Sequence, residues 1–186
     1  MIEPIDRLSP LLERFRVHTR LSFSGEMCGV HTFAKAGNKA YLHVLRSGSM
    51  QVSHTKAKGV PTRISLSEPT LIFYPKPLTH HFHNAPRDGS DFTCAEIEFQ
   101  GGWSHPLAQA LPPVVVLPLS QVNGLQASLD LLFAETEQVR CGHRILANRL
   151  FEVVLIQLLR WLLDHPQEAK IDDGLMMGLS SPQLAK

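Results

Sequence analysis

The residues best suited to chemistry lie in "YPKPLTHHFHN", Tyr74 to Asn84, where His80, His81 and His83 fall within four positions. Imidazoles ligate metals, carry protons and hydrogen-bond small ligands. Two prolines precede them, so the stretch reads as a turn entering a strand. Side chains alternate along a strand, which puts His81 and His83 on one face and His80 on the other. Three neighbouring histidines therefore do not make one cluster. Further candidates are His43 in "AYLHVLR", Cys94 and Glu96 in "DFTCAEIEF", and the pair Cys28 and His31 in "CGVH". For the cysteines the plain alternative is packing, because free cysteine behaves as a small buried hydrophobe. His105 precedes a proline and reads as a turn residue, while Tyr41, Phe73 and Phe82 are candidates to line an interior. No glycine-rich phosphate loop, HExxH, GxSxG or paired-acid motif is visible, so nucleotide and hydrolase chemistry have no support.

The elements that must position these residues fall in two halves. Before residue 120, short runs such as "RLSFS", "GVHTFA", "AYLHVLR", "SMQVSH", "TRISL", "TLIFY", "THHFH" and "DFTCAEIEF" alternate with Gly-, Pro-, Asn- and Asp-rich separators. That pattern predicts an antiparallel sandwich or barrel. The opening "DRLSPLLERFRV" is helical in period, with Ser9 a candidate cap and Pro10 at the first helical position. Beyond residue 120, Val122, Leu125, Leu129, Leu132 and Phe133 share one helical face, and a second helix is predicted from about His143 to Asp164, ended by His165–Pro166. This second helix is apolar over more than half its circumference. Its surplus face could meet the first helix, another part of the chain, or a second copy; burial within its own subunit is the plain alternative.

Composition bounds the class. The 186 residues suffice for one domain with a full core, and 44% apolar with 19% charged residues is the balance of a globular chain. A net charge of +1 gives no electrostatic footprint for nucleic acid. The three cysteines, Cys28, Cys94 and Cys141, are too scattered for a CxxC pair and read as reduced intracellular thiols. No signal peptide is indicated and no stretch is apolar enough to span a bilayer, so a cytoplasmic protein without membrane contact is expected.

A barrel followed by two helices resembles the N-terminal cupin half of AraC/XylS-type transcription regulators. "AYLHVLRSGSMQV" is similar to that family's strand–turn–strand, in which a histidine precedes a glycine turn by five positions, as His43 precedes Gly48. "TLIFYPKPLTHHFHN" resembles its proline–x–glycine–x–x–histidine segment, with Pro75, His80 and Asn84 in place and Pro77 where the glycine would be. "SHPLAQALPPVVVL" resembles its connector, and "DDGLMMGLSSPQLAK" the stretch that opens its DNA-binding half. The resemblance implies a cupin-type antiparallel β-barrel (jelly roll) with a C-terminal two-helix antiparallel hairpin. It further implies three regions: the barrel with a short N-terminal helix over 1–118, a helical dimerisation hairpin over 119–168, and a linker entering a DNA-binding domain over 169–186. The expected function is effector sensing and dimerisation rather than catalysis, with a small molecule in the barrel and DNA met only through a half beyond this chain.

Metal-binding cupins draw two histidines and a glutamate from one motif and a further histidine from a second. Here the first motif keeps only His43, flanked by Tyr41 and Leu45, with Gly48, Ser49 or Met50 where the glutamate belongs. A reduced site of His43, His80 and Cys94, with Glu96 sharing the face of Cys94, would suit zinc or another divalent metal. The alternative is a metal-free pocket in which His43, His80, Tyr41 and Cys94 bind the effector. The rival function is a small metal-dependent cupin enzyme, an oxygenase or isomerase. For the homodimer, the expected seam on the second helix is Leu146, Leu150, Val153, Val154, Leu158 and Trp161.

Overall fold

The computed structural model describes residues 6, 8–122 and 124–168. Helix α1 (Leu8–Arg14) is followed by eight strands: β1 (Val17–Met27), β2 (Val30–Phe33), β3 (Lys39–Ser47), β4 (Met50–His54), β5 (Arg63–Leu66), β6 (Thr70–Tyr74), β7 (His80–His83) and β8 (Ser90–Phe99). A short helix α2 (Pro106–Ala110) and strand β9 (Val115–Pro118) lead to α3 (Leu125–Glu137) and α4 (His143–Asp164). All strand pairs are antiparallel. One sheet has the order β1-β8-β3-β6-β9 and the other β2-β7-β4-β5. The expected mainly-β cupin barrel with C-terminal helices is the architecture found.

The five-stranded sheet is buried on both faces, and its sequence shows why. In β3, Tyr41, His43 and Leu45 alternate with Ala40, Leu42 and Val44, and every one of these six is buried. The second set joins Leu71, Phe73, Ala95 and Ile97 in a cluster with Leu125, Leu129, Leu132, Phe151, Val154, Leu158 and Leu162 of α3 and α4. The first set joins Met50, Val52, Ile72, Tyr74, Phe82, Phe92 and Cys94 inside the barrel. Full burial of each such aliphatic side chain contributes about 1.5–3 kcal/mol, so the helices are part of the fold rather than an appendage. Gly48 makes the β3–β4 turn possible: its φ is +92°, and a Cβ there would lie 2.9 Å from the Ser90 Cα.

Polar contacts fix the layers. Asn148 of α4 accepts the Leu21 N–H at 2.8 Å through its Oδ1, and its carbonyl accepts the Thr19 hydroxyl, where β1 bulges between Leu21 and Phe23. Arg46 of β3 reaches Asp91 at 3.2 Å and Glu137 of α3 at 2.6 Å, and its guanidinium lies 4.2 Å over the Phe133 ring. His105 caps α2 by accepting the Leu107 N–H at Nδ1, so its Nε2–H donates to the Phe15 carbonyl at 3.0 Å.

Four details differ from the sequence reading. Helix α1 is capped by Asp6, which accepts both the N–H and the hydroxyl of Ser9, so Ser9 lies within the helix. "VVVL" is not only connector: β9 pairs with β6 in the register Ile72↔Val116 and closes the edge of the large sheet. Val122 precedes α3 instead of lying on it. Phe73 faces the helices, because Ile72 and Tyr74 take the inward positions of β6. The expectation for 169–186 lies outside the described residues.

Candidate functional site

The barrel interior brings His43 and His80 together across the two sheets. Their Nε2 atoms are 2.9 Å apart and both side chains are fully buried. The partners determine the proton positions. His80 Nδ1 faces the Leu78 carbonyl at 2.8 Å and can only donate to it, which leaves His80 Nε2 bare. His43 Nε2–H therefore donates to His80 Nε2, and His43 Nδ1 is a bare acceptor with no hydrogen-bond partner among the described residues. Burial, with the neighbouring His80, drives the pKa of His43 far below the ordinary histidine value. His80 is lowered to about 4, chiefly by burial. Both rings are neutral at physiological pH.

A second relay lies beside the first. The His54 Nδ1–H donates to the Pro61 carbonyl at 2.7 Å, so its Nε2 accepts from the Tyr74 hydroxyl at 2.8 Å. The Tyr74 ring stacks on His80 at 4.0 Å between centroids, and burial pushes the Tyr74 phenol far up, keeping it protonated. Phe33, at the end of the edge strand β2, also stacks on His80, with an interplanar angle of 8°. It further contacts His43, Tyr41 and Phe82 edge-on or tilted. Phe33 is only half-buried, so it is the exposed cover of an otherwise sealed aromatic cluster. Nothing in the sequence marked Phe33, whose part depends on strand pairing.

The other candidates fall into distinct places. Tyr41 is buried and lies parallel to His43 at 5.8 Å between ring centroids. Cys94 sits beside His43 in the β3–β8 register, and burial pushes its thiol up, away from the thiolate a metal would require. Glu96 is bound by Arg20 and by Lys39 at 3.0 Å; burial raises its pKa, but these hydrogen bonds outweigh it and hold the carboxyl below its ordinary value. Among the described residues no group of three or more His, Cys, Asp or Glu side chains is arranged to hold a metal ion. A zinc at His43, His80 and Cys94 would have to break the His43–His80 bond and draw together three donors that are not arranged around a common point. The donor set does not fit it. His81 and His83 point outward, bonded to Thr32 at 2.9 Å and Ser53 at 2.7 Å. Cys28 and His31 are exposed, the His31 ring meeting the Cys28 carbonyl at 2.8 Å.

The expected dimer seam divides. Val154, Leu158 and Trp161 are buried in the subunit's own core, with the Trp161 indole N–H donating to the Gln121 carbonyl at 3.0 Å. Leu150 is half-buried against that core. Leu146 and Val153 remain exposed, at 48% and 41%, as do Ile145 of α4 at 70% and Val139, in the loop before α4, at 79%. The surplus apolar surface of α4 thus serves α3 and the large sheet first, leaving a smaller outer stripe.

The chain belongs to the cupin family, whose model matches residues 6–164. No curated protein matches the sequence. Among solved structures it is similar to ToxT from Vibrio cholerae, at 10% identity and a TM-score of 0.39 over 78% of this chain and 55% of that one. A structure of ToxT with an unsaturated fatty acid bound matches at 9% identity and a TM-score of 0.45, over 88% of this chain and 60% of that one. A Cupin 2 conserved barrel domain protein from Salinispora arenicola matches at 14% identity and a TM-score of 0.30, over 52% of this chain and 87% of that one. The chain therefore spans between half and two thirds of the length of ToxT. No helix among the described residues is long and apolar enough to cross a membrane.

Proposed function

We propose that this chain is the effector-sensing and dimerisation part of an AraC-type transcription regulator, and that it recognises a small molecule instead of transforming one. The observation that carries the reading is the mutual pairing of the interior polar groups, in which His43 Nδ1 is left without a partner among the described residues. His43 bonds His80, His80 bonds Leu78, Tyr74 bonds His54, and each imidazole is held neutral by burial. Such a set, bonded within itself and covered by aromatic rings, offers neither an activated nucleophile nor a convergent metal-binding triad. The sequence resemblance at the connector and tail supports the regulator class, and the cupin membership supports the barrel. In this reading 1–118 senses, 119–168 dimerises, and DNA is bound by a half joined through 169–186. Differential affinity of the effector for two arrangements of barrel and helices would set how that half is presented.

The homodimer uses the outer stripe of α4. Sedimentation tests it. The chain is expected to run as a dimer, and Leu146→Asp with Val153→Asp to weaken association at least tenfold without loss of fold. A monomer at high concentration, or unchanged association of the double variant, contradicts it. The enzyme rival makes a different demand: stoichiometric iron or manganese, with His43 and His80 as its ligands by mutation.

A further inference from the structure

No strand pair joins the two sheets of the barrel, and one of their two open sides lies between β5, which ends the four-stranded sheet, and β9, which ends the five-stranded one; neither has a further strand partner among the described residues. The gap holds a cleft of about 540 Å³ whose walls include Pro61, Ile64, Pro113, Val114 and Val116, with Glu168 at its edge. Ile64, Val114 and Val116 are half-buried, and their covered sides pack on the interior cluster that contains Ile72, Tyr74 and Phe82. The cleft therefore lies at the rim of the barrel, separated from the interior cluster by its own walls, and the histidine pair is covered by Phe33, Tyr41 and Tyr74.

The geometry points to this β5–β9 seam, and not the His43–His80 pair, as the place where the effector binds, and to an uncharged, largely apolar small molecule as its class. The inference rests on the sensor reading above. Three features select the occupant. The volume lies within the range of small-ligand pockets. The walls are aliphatic, while the edges of β5 and β9 supply unpaired backbone N–H and C=O groups for one or two neutral hydrogen bonds. Glu168, the one charged residue among the described lining residues, disfavours an anion. A bound molecule would be felt in two directions. It would touch Pro61, whose carbonyl orients His54 and so the Tyr74–His80–His43 stack. It would also touch Glu168, which follows α4.

The test uses the 186-residue chain and two probes, uncharged Nile red and anionic 8-anilinonaphthalene-1-sulfonate. Nile red is expected to bind saturably at one site and to shift the His54 ring-nitrogen resonances. Ile64→Trp and Val116→Trp, which fill the cleft from opposite walls, should each weaken it at least tenfold. Phe33→Leu, at the far edge of the barrel, should leave it within twofold. The anionic probe should bind at least tenfold more weakly than Nile red. Circular dichroism checks that each variant is folded, and either cleft variant suffices. Nile red binding that survives both fillings, is lost only in Phe33→Leu, or is absent from the wild type overturns the seam. Equal binding of both probes overturns the ligand class. A failed seam in a chain that still dimerises through α4 removes this inference alone, whereas a monomer removes the sensor–dimer reading itself.

Discussion

The two faces of the five-stranded sheet are built from the same strands and do different work. The helix-facing side carries Ala40, Leu42, Val44, Leu71, Phe73, Ala95 and Ile97, an almost wholly hydrocarbon surface. The barrel-facing side carries Tyr41, His43, Tyr74 and Cys94 among its apolar residues, and meets His54, His80 and Phe82 from the other sheet. Buried hydrocarbon needs no partner, whereas each buried polar group costs stability unless it is bonded. One face therefore holds the molecule together. The other tolerates buried polar groups because most of them are bonded to one another, His43 to His80 and His54 to Tyr74.

The largest expected effect lies on the helix side. Leu42→Ala removes a fully buried side chain between sheet and helices and should cost about 2–5 kcal/mol in urea unfolding. A cost below about 1 kcal/mol would mean the helices do not complete the core.

Acid should act next, chiefly through the barrel side, where burial lowers His43, His54 and His80. The folded-state value of His80, about 4, lies below the ordinary 6.5, so the unfolded chain takes up the proton more readily. Its contribution is complete above pH 6.5 and is lost as pH falls through 4, amounting to a loss on the order of 3 kcal/mol, with His43 adding in the same direction. Unfolding midpoints across that window check it; a flat profile from pH 7 to 4 contradicts neutral burial.

The smallest effect is the most discriminating. His43→Leu alone leaves His80 Nε2 buried without a donor and should cost about 1–3 kcal/mol. His43→Leu combined with His80→Phe removes both partners of the His43–His80 bond, leaving only the Leu78 carbonyl without its donor, and should cost less than the sum of the single variants. It should also shrink the acid dependence to what His54 and His105 contribute. A double variant as damaged as the sum of its parts would make the pair structural and erase the contrast between the faces.

How much of this could be read in the sequence follows from which physical information is local. β1 to β8 were legible because Gly, Pro, Asn and Asp separators bound short alternating runs. β9 was not, since "VVVL" follows two prolines, is only four residues long as a strand, and pairs with β6 more than forty residues earlier. Alternation correctly separated His80 from His81 and His83. It could not foresee the His43–His80 bond, which needs two strands of different sheets to close on each other, nor the cover supplied by Phe33. Asn148 was silent for a related reason: a polar residue inside a helix shows its purpose only when a bulged strand lies against it. The apolar excess of α4 was plain, but its direction was not, and Val154, Leu158 and Trp161 proved to face the subunit's own core.

The central claim is that the interior imidazoles form a neutral, mutually bonded pair. Long-range nitrogen–proton NMR of the histidine rings tests it most directly. The account predicts His80 as the Nδ1–H tautomer and His43 as the Nε2–H tautomer at neutral pH, both unchanged by equimolar zinc or ferrous iron. Simultaneous shifts or broadening of both rings at one equivalent of metal would contradict it.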